Sequence, residues 1–212
     1  MPSLIRQTPH RDTEALYAAM AGTWHSTVQR LGYGAAYRQF FAACGPASHS
    51  VIADLGTGSG AFVEAYLDTC ADGPARCTLV DTSPAMLEVA VRTVGRHGVA
   101  TDSVCAGVGG EVLPPNTCDA VLAAHVIEHL PDPVAALEWC RSRLVVGGAL
   151  YLAISRPHWC TALLRWKWGH RAYRPADVVD LLAQAGFSDI RHIPFRHGPP
   201  SRTSAAYLAT AR

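Results

Sequence analysis

Ala53-Asp54-Leu55-Gly56-Thr57-Gly58-Ser59-Gly60 decides the reading of this chain, because here an apolar run, Ser50–Leu55, breaks into three closely spaced glycines before a helix-like segment over about 59–69. A strand that enters a glycine-rich turn and then a helix is the opening unit of a parallel sheet, and ligands bind at the carboxyl ends of such strands. Glycine lets the backbone turn sharply and lets a ligand come close to it. The spacing Gly-x-Gly-x-Gly differs from the dinucleotide fingerprint Gly-x-Gly-x-x-Gly, and no Gly-Lys-Ser/Thr follows as in a phosphate-binding loop. Asp54 stands just before the turn, where its charge would repel a pyrophosphate and favour a ligand carrying ammonium or sulfonium cations. Asp81 closes the next apolar run 21 residues after Gly60, the place from which a carboxylate accepts hydrogen bonds from both hydroxyls of a ribose. Helix N-capping would explain either acid singly. The pair together points to a positively charged ligand that contains ribose.

Outward from this turn the chain alternates strand-like and helix-like segments. Cys77–Val80, Ser103–Ala106, Cys118–Ala124 and Ala149–Ile154 are short, mostly apolar runs bounded by Gly, Pro, Asp or Ser, as buried parallel strands are. Between them lie helices over about 84–97, opened by Ser83-Pro84, and about 132–144, closed by Gly147-Gly148. A further helix over about 175–186 precedes strands near 189–194 and 204–210, whose short connection makes the last one an antiparallel edge hairpin. The pattern predicts an α/β fold with a mostly parallel sheet, an antiparallel C-terminal hairpin and helices on both faces. Ahead of it, residues 11–44 read as two helices, Thr13–Ala21 and Gly34–Cys44. Their aromatics Tyr17, Trp24, Tyr33, Tyr37, Phe40 and Phe41 suit either a cap over a site or plain packing.

Composition narrows the class. With 212 residues, 49% hydrophobic and 17% charged, the chain is the size of one globular domain and too apolar to be a disordered tail. No apolar run reaches the roughly 20 residues needed to cross a bilayer, and the N-terminal stretch lacks the apolar block of a secretory signal, so a soluble cytoplasmic protein is expected. Seven cysteines without a Cys-x-x-Cys pair argue against a disulfide framework and a structural zinc site. Charge is unevenly spread: residues 1–149 hold 9 basic and 14 acidic side chains, residues 150–212 hold 9 and 3. The last third is a basic lobe suited to an anionic partner or substrate.

ADLGTGSG at 53–60, LVDTSPAMLEVA at 79–90, CDAVLAAHVIEHLPDP at 118–133, VGGALYLAI at 146–154 and RPADVVDLLAQAGF at 174–187 together resemble the class I S-adenosylmethionine-dependent methyltransferases, over about residues 45–190. The resemblance implies a Rossmann-like seven-stranded sheet and S-adenosyl-L-methionine as cofactor, with S-adenosyl-L-homocysteine as product. It further implies that Gly56, Thr57, Gly58 and Gly60 lie against the methionine part, Asp54 near its amino group, and Asp81 at the ribose. Thr82 and Met86 would face the adenine, and Ala124 would border the cofactor. The family commonly places an aspartate before the position of Leu113, where this sequence reads Ala106-Gly107-Val108-Gly109-Gly110-Glu111. Backbone groups of Val108 and Gly109 would then take over the adenine contact, with Glu111 as the less favoured substitute.

Methyl transfer needs alignment, exclusion of water and, for a weakly acidic acceptor, a base. The loop after Cys118–Ala124 reads His125-Val126-Ile127-Glu128-His129, in which positions i, i+3 and i+4 share one face of a helical turn. His125 and His129 are the candidate catalytic residues, with His125 preferred as general base. The same loop resembles metal-dependent small-RNA 2′-O-methyltransferases, and on that comparison His125, Glu128, His129 and His170 would form a divalent metal site suited to zinc or a transition metal. Metal-free use of this loop is the favoured reading.

The stretch SRPHWCTALLRWKWGHRAYRP, 155–175, contains Trp159, Trp166 and Trp168, five cations and no acid. Aromatic and cationic side chains together suit a planar or apolar acceptor bearing a carboxylate or phosphate, and RNA would use the same chemistry. Tyr17, Trp159, Arg165, Trp166 and His170 are the candidate acceptor-binding residues. The whole reads as one methyltransferase domain: an N-terminal helical cap (1–44), a cofactor-binding half (45–154), an acceptor-side insertion (155–175) and a C-terminal helix and hairpin (176–212). The expected function is methyl transfer to an O, N or C atom of a small anionic or aromatic biosynthetic molecule. The alternatives are a metal-assisted RNA 2′-O-methyltransferase and a cofactor-binding scaffold or non-methylating enzyme on the same fold.

Overall fold

The computed structural model describes residues 23–45, 48–70, 72–110, 112–158 and 171–212. Residues 23–30 are helical, and α1 (Tyr33–Cys44) follows. The alternation then runs β1 (Val51–Leu55), α2 (Ala61–Leu67), β2 (Arg76–Asp81), α3 (Pro84–Gly95), β3 (Ala100–Cys105), β4 (Cys118–Ala124), a 3₁₀ turn (Ile127–His129), α4 (Pro133–Arg143), β5 (Leu144–Ser155), α5 (Pro175–Gln184), β6 (Phe187–Ile193), a short helical turn (Pro200–Thr203) and β7 (Ser204–Ala211). These strands form one seven-stranded sheet in the order β3-β2-β1-β4-β5-β7-β6. β1 to β5 pair in parallel, and β7 runs antiparallel to both β5 and β6.

Local chemistry fixes the helix starts. Ser83 caps α3 by accepting the Met86 N–H, with Pro84 at the first position. Asp132 caps α4 through one carboxylate oxygen that accepts from Val134 N and Ala135 N, both at 3.0 Å. Each sheet face then buries its own core. On one face Leu137 and Cys140 of α4 and Val178 and Leu182 of α5 pack against Val121, Leu150, Leu152 and Tyr207. On the other, Tyr37, Phe40 and Phe41 of α1 join Phe62 and Tyr66 of α2 over Ile52, Leu79, Leu122 and Tyr151. The rings of Tyr37, Phe40 and Phe41 are therefore core, and among the described N-terminal aromatics Tyr33 reaches the carboxyl end of the sheet. The helix expected over Thr13–Ala21 lies outside the described residues.

Two expectations need correction. The third strand begins at Ala100 rather than Ser103: it is an edge strand with a half-exposed pattern, so Thr101 and Asp102 are at home in it. Gly147 and Gly148 do not close a helix; α4 ends at Arg143 and both glycines lie within β5, where the pairing with β4 shifts between Cys118 and Ala120. The expected antiparallel hairpin does close one edge of the sheet, with β6 outermost and β7 inside it. Nearly all of β7 is buried, which suits an inner position, whereas β6 carries exposed Arg191 and His192 and takes the edge. No helix among the described residues is long and apolar enough to cross a membrane.

Candidate active site

The sheet order reverses between β1 and β4, the point at which an open α/β sheet leaves a crevice beyond its strand ends. Two loops flank that crevice: the glycine turn after β1 and the histidine loop after β4. Gly56, Gly58 and Gly60 all have left-handed φ values of 59°, 51° and 80°, which side-chain-bearing residues resist. A Cβ on Gly56 would come within 2.7 Å of Val126 Cγ2, so the histidine loop lies directly against the glycine turn. At Gly58 and Gly109, by contrast, a Cβ would meet nothing within 4 Å.

The two acids hold this turn from beneath and from the side. Asp54 is fully buried, and its Oδ2 accepts the Thr57 hydroxyl at 2.6 Å. Burial pushes its carboxyl up to about 7, against the lowering effect of the Thr57 hydrogen bond and with a further raising contribution from Asp81. Asp81, at the end of β2, accepts Gly58 N–H at 2.8 Å on one oxygen and Ser83 N–H at 2.9 Å on the other. Burial raises its pKa, opposed by these main-chain donors. A carboxylate has about four acceptor positions, so capacity remains for hydroxyl donors from a ligand. The loop after β3 is tied to the same point, with Ala106 N–H donating to Asp81 C=O at 3.0 Å. Thr82 faces this loop, its Cγ2 3.8 Å from where a Gly107 Cβ would stand, while Met86 is buried within α3. Val108 is partly buried against the core and Gly109 has φ 101°. Glu111 is outside the described residues.

His125 follows Ala124, the last residue of β4, and adopts φ 57°, an uncommon conformation for a residue with a side chain. Its main-chain N–H donates to Ala153 C=O of β5 at 2.8 Å. The imidazole Nδ1 lies 3.0 Å from Glu128 Oε1 and 3.2 Å from Ser155 Oγ. Nε2 is 3.5 Å from Ser204 Oγ. The Tyr33 ring meets the imidazole edge-on at 5.6 Å between centroids, and its hydroxyl lies 3.1 Å from both Thr203 Oγ1 and Ser204 Oγ. Glu128 is 2% exposed, with Oε2 buried and unpartnered. Burial acts to raise its pKa, but the hydrogen bond with His125 and the charges of His125 and His129 outweigh it and hold the group below the usual value. His129 turns to the surface, its ring hydrogen-bonded to the His125 main chain.

The sequence thus anticipated Asp54, the glycines, Asp81 and His125, which the fold gathers around one crevice. Tyr33 of α1 stood among the N-terminal aromatics that suit a cap over a site or plain packing, whereas Ser155, Thr203 and Ser204, from the end of β5, the short helical turn and the start of β7, were not singled out. A hydroxyl residue at each strand end was the only trace. Tyr17, Trp159, Arg165, Trp166 and His170 lie outside the described residues. Among the described residues, no three His, Cys, Asp or Glu side chains converge to hold a metal ion.

This arrangement suits an adenosyl sulfonium ligand. A buried acid that burial keeps near neutrality is ionised most readily beside a cation, open space stands over Gly58 and Gly109, and Asp81 keeps acceptor capacity for ribose hydroxyls.

A family model described as a methyltransferase domain matches residues 53–152. Among curated relatives, a ubiquinone biosynthesis O-methyltransferase from Xylella fastidiosa (strain 9a5c) is 28% identical over 189 residues, covering 78% of this chain and 75% of the relative. Another of the same name from Xanthomonas campestris pv. campestris (strain B100) is 32% identical over 103 residues, 48% of this chain and 41% of the relative. Of solved structures, an S-adenosylmethionine-dependent methyltransferase from Thermotoga maritima matches with TM-score 0.71 at 18% identity, over 93% of this chain and 99% of that one. A Haloferax volcanii methyltransferase in complex with the activator Trm112 has TM-score 0.71 at 18% identity, over 92% and 97%. A Haemonchus contortus phosphoethanolamine N-methyltransferase in complex with S-adenosyl-L-methionine has TM-score 0.62 at 15% identity, over 78% and 50%. The structural likenesses speak to the fold.

Proposed function

We propose that this chain, an S-adenosylmethionine-dependent methyltransferase on the class I fold, transfers a methyl group to a hydroxyl oxygen of a small aromatic or anionic biosynthetic molecule, with His125 as general base. The observation that carries this is the placement of His125: its loop packs on the glycine turn, Nδ1 is engaged by Glu128, and Nε2 faces the hydroxyl of Ser204, which in turn pairs with that of Tyr33. Relatives named O-methyltransferases support oxygen as the acceptor atom.

When bound, the cofactor supplies a methyl carbon made electrophilic by its sulfonium. The chain's own residues supply the rest. Asp81 would orient the ribose, Gly56 and Gly58 would let the methionine part approach, and Asp54 would balance its positive charge. Thr82, Met86, Val108, Gly109 and Ala124 would complete the cofactor surface. His125 Nε2 would take the proton from the acceptor hydroxyl as its oxygen attacks, a contribution on the order of 10²–10⁴-fold in rate for a positioned base. The carbon–sulfur bond breaks with its electron pair remaining on sulfur, so no external reductant or oxidant is needed.

The acceptor would lie on the side of residues 155–175. Both ends of this stretch return to the histidine loop: Arg171 N–H donates to Glu128 C=O at 3.3 Å and Tyr173 N–H to Ser155 C=O at 3.0 Å. The acceptor contacts proposed from the sequence, Trp159, Arg165, Trp166, His170 and Tyr17, lie outside the described residues.

The test is formation of S-adenosylhomocysteine from S-adenosylmethionine against a panel of hydroxylated aromatic acids, with and without chelator. Turnover is expected to survive chelation, and His125→Ala is expected to bind S-adenosylhomocysteine like the wild type while losing about 100-fold or more in turnover. Wild-type turnover in that variant would remove His125 as base. Chelator-sensitive labelling of RNA would replace the small-molecule reading altogether.

A further inference from the structure

We propose that Glu128 is a positioning residue that fixes the imidazole of His125 with its proton on Nδ1, leaving Nε2 as the free base directed at the acceptor. This rests on the reading of His125 given above and extends it to a residue that touches neither cofactor nor acceptor.

One carboxylate oxygen does two jobs. Glu128 Oε1 lies 3.0 Å from His125 Nδ1 and also accepts the Ser155 main-chain N–H at 3.0 Å. An ionised carboxylate is an acceptor only, so a neutral imidazole meeting it must present Nδ1–H, and its lone pair must then be on Nε2. The opposite tautomer would set a nitrogen lone pair against a carboxylate oxygen. Ser155 N–H anchors that oxygen to the end of β5, so the ring is referenced to a rigid strand, although His125 itself sits on a left-handed turn. On the other side of the ring, Ser204 Oγ stands 3.5 Å from Nε2 and is itself 3.1 Å from Tyr33 OH, a hydroxyl pair that marks where an acceptor hydroxyl would enter.

Stability alone does not explain a glutamate here. The residue is almost wholly buried, and its second oxygen has no partner, an arrangement that natural cores avoid and that recurs at functional sites. A buried, strand-anchored carboxylate behind an imidazole is what a base needs when its tautomer matters.

The experiment uses the full chain. Long-range nitrogen–proton correlation spectra of protein labelled with ¹⁵N-histidine report the His125 tautomer, assigned by its loss in His125→Ala. The neutral wild-type ring is expected as the Nδ1–H tautomer, and an Nε2–H ring overturns the proposal without any variant of Glu128. Glu128→Gln, which keeps shape but can turn an amide N–H as well as its oxygen toward Nδ1 and so no longer dictates the tautomer, is expected to lower kcat about 100-fold or more while acceptor KM and the dissociation constant of S-adenosylhomocysteine change less than about threefold. Its His125 ring is expected to show mixed tautomers. A Gln variant with kcat within about threefold of wild type and an unchanged ring signal overturns the proposal. If instead His125→Ala retains wild-type turnover, the base assignment fails, while the spectra still decide whether Glu128 sets the ring.

Discussion

Asp54 is the residue whose burial and role pull hardest against each other. Its carboxyl is pushed from the ordinary 3.8 up to about 7 by burial, with the Thr57 hydroxyl working the other way. In the ligand-free protein the folded state therefore holds a proton that the unfolded chain releases at lower pH. The stability this residue contributes is full below about pH 4 and is lost as pH rises through about 7. A cationic ligand prefers the ionised form, so binding should strengthen over the upper part of the same interval and release a proton. Calorimetric titration with S-adenosylhomocysteine at pH 6 and pH 7.5, in two buffers of different ionisation enthalpy, is expected to show tighter binding at the higher pH with proton release. Asp54→Asn should flatten both effects. Equal affinity and no proton release in the wild type would detach Asp54 from the ligand.

At the scale of elements, the glycine turn separates a structural from a ligand-facing glycine. Gly56→Ala places a methyl against Val126 as well as forcing φ 59°, so it should cost unfolding free energy on the order of 2–4 kcal/mol from backbone strain and overpacking. Gly58→Ala carries only the backbone cost, about 1–2 kcal/mol, because its methyl would enter open space. On the proposed site the ligand would fill that space, so Gly58→Ala should lose more in S-adenosylhomocysteine affinity than in stability. Denaturant midpoints beside calorimetric affinities check this, and a Gly58→Ala protein that binds like wild type would contradict it. The turn was legible because strand, glycines and helix are contiguous. β4 was legible to the residue, its run Cys118–Ala124 being almost wholly buried. β3 and the Gly147-Gly148 pair were misread because an edge strand tolerates polar residues, and because a glycine pair marks a strand irregularity as readily as a helix end.

For the molecule as a whole, strand order is what local sequence does not encode. Asp54, Asp81 and His125 stand at or beside the carboxyl ends of β1, β2 and β4, positions that local sequence marks. Tyr33, Ser155 and Ser204 meet His125 only because α1 lies under one face and β7 inserts beside β5, a placement set by the burial of the entire hairpin rather than by any motif. Topology likewise brings Arg171 and Tyr173 of the basic C-terminal third, distant in sequence from the glycine turn, to the histidine loop and the end of β5, where their N–H groups donate to Glu128 C=O and Ser155 C=O. All of this requires the crevice between β1 and β4 to bind the adenosyl cofactor through Asp81. The most direct measurement is titration of the wild type and Asp81→Ala with S-adenosylhomocysteine. Saturable one-site binding is expected in the wild type, weakened in the variant by about 1.5–3 kcal/mol, or about 10- to 150-fold, as for lost hydrogen bonds to a charged group. No binding in the wild type, or equal affinity in the two proteins, would contradict the account.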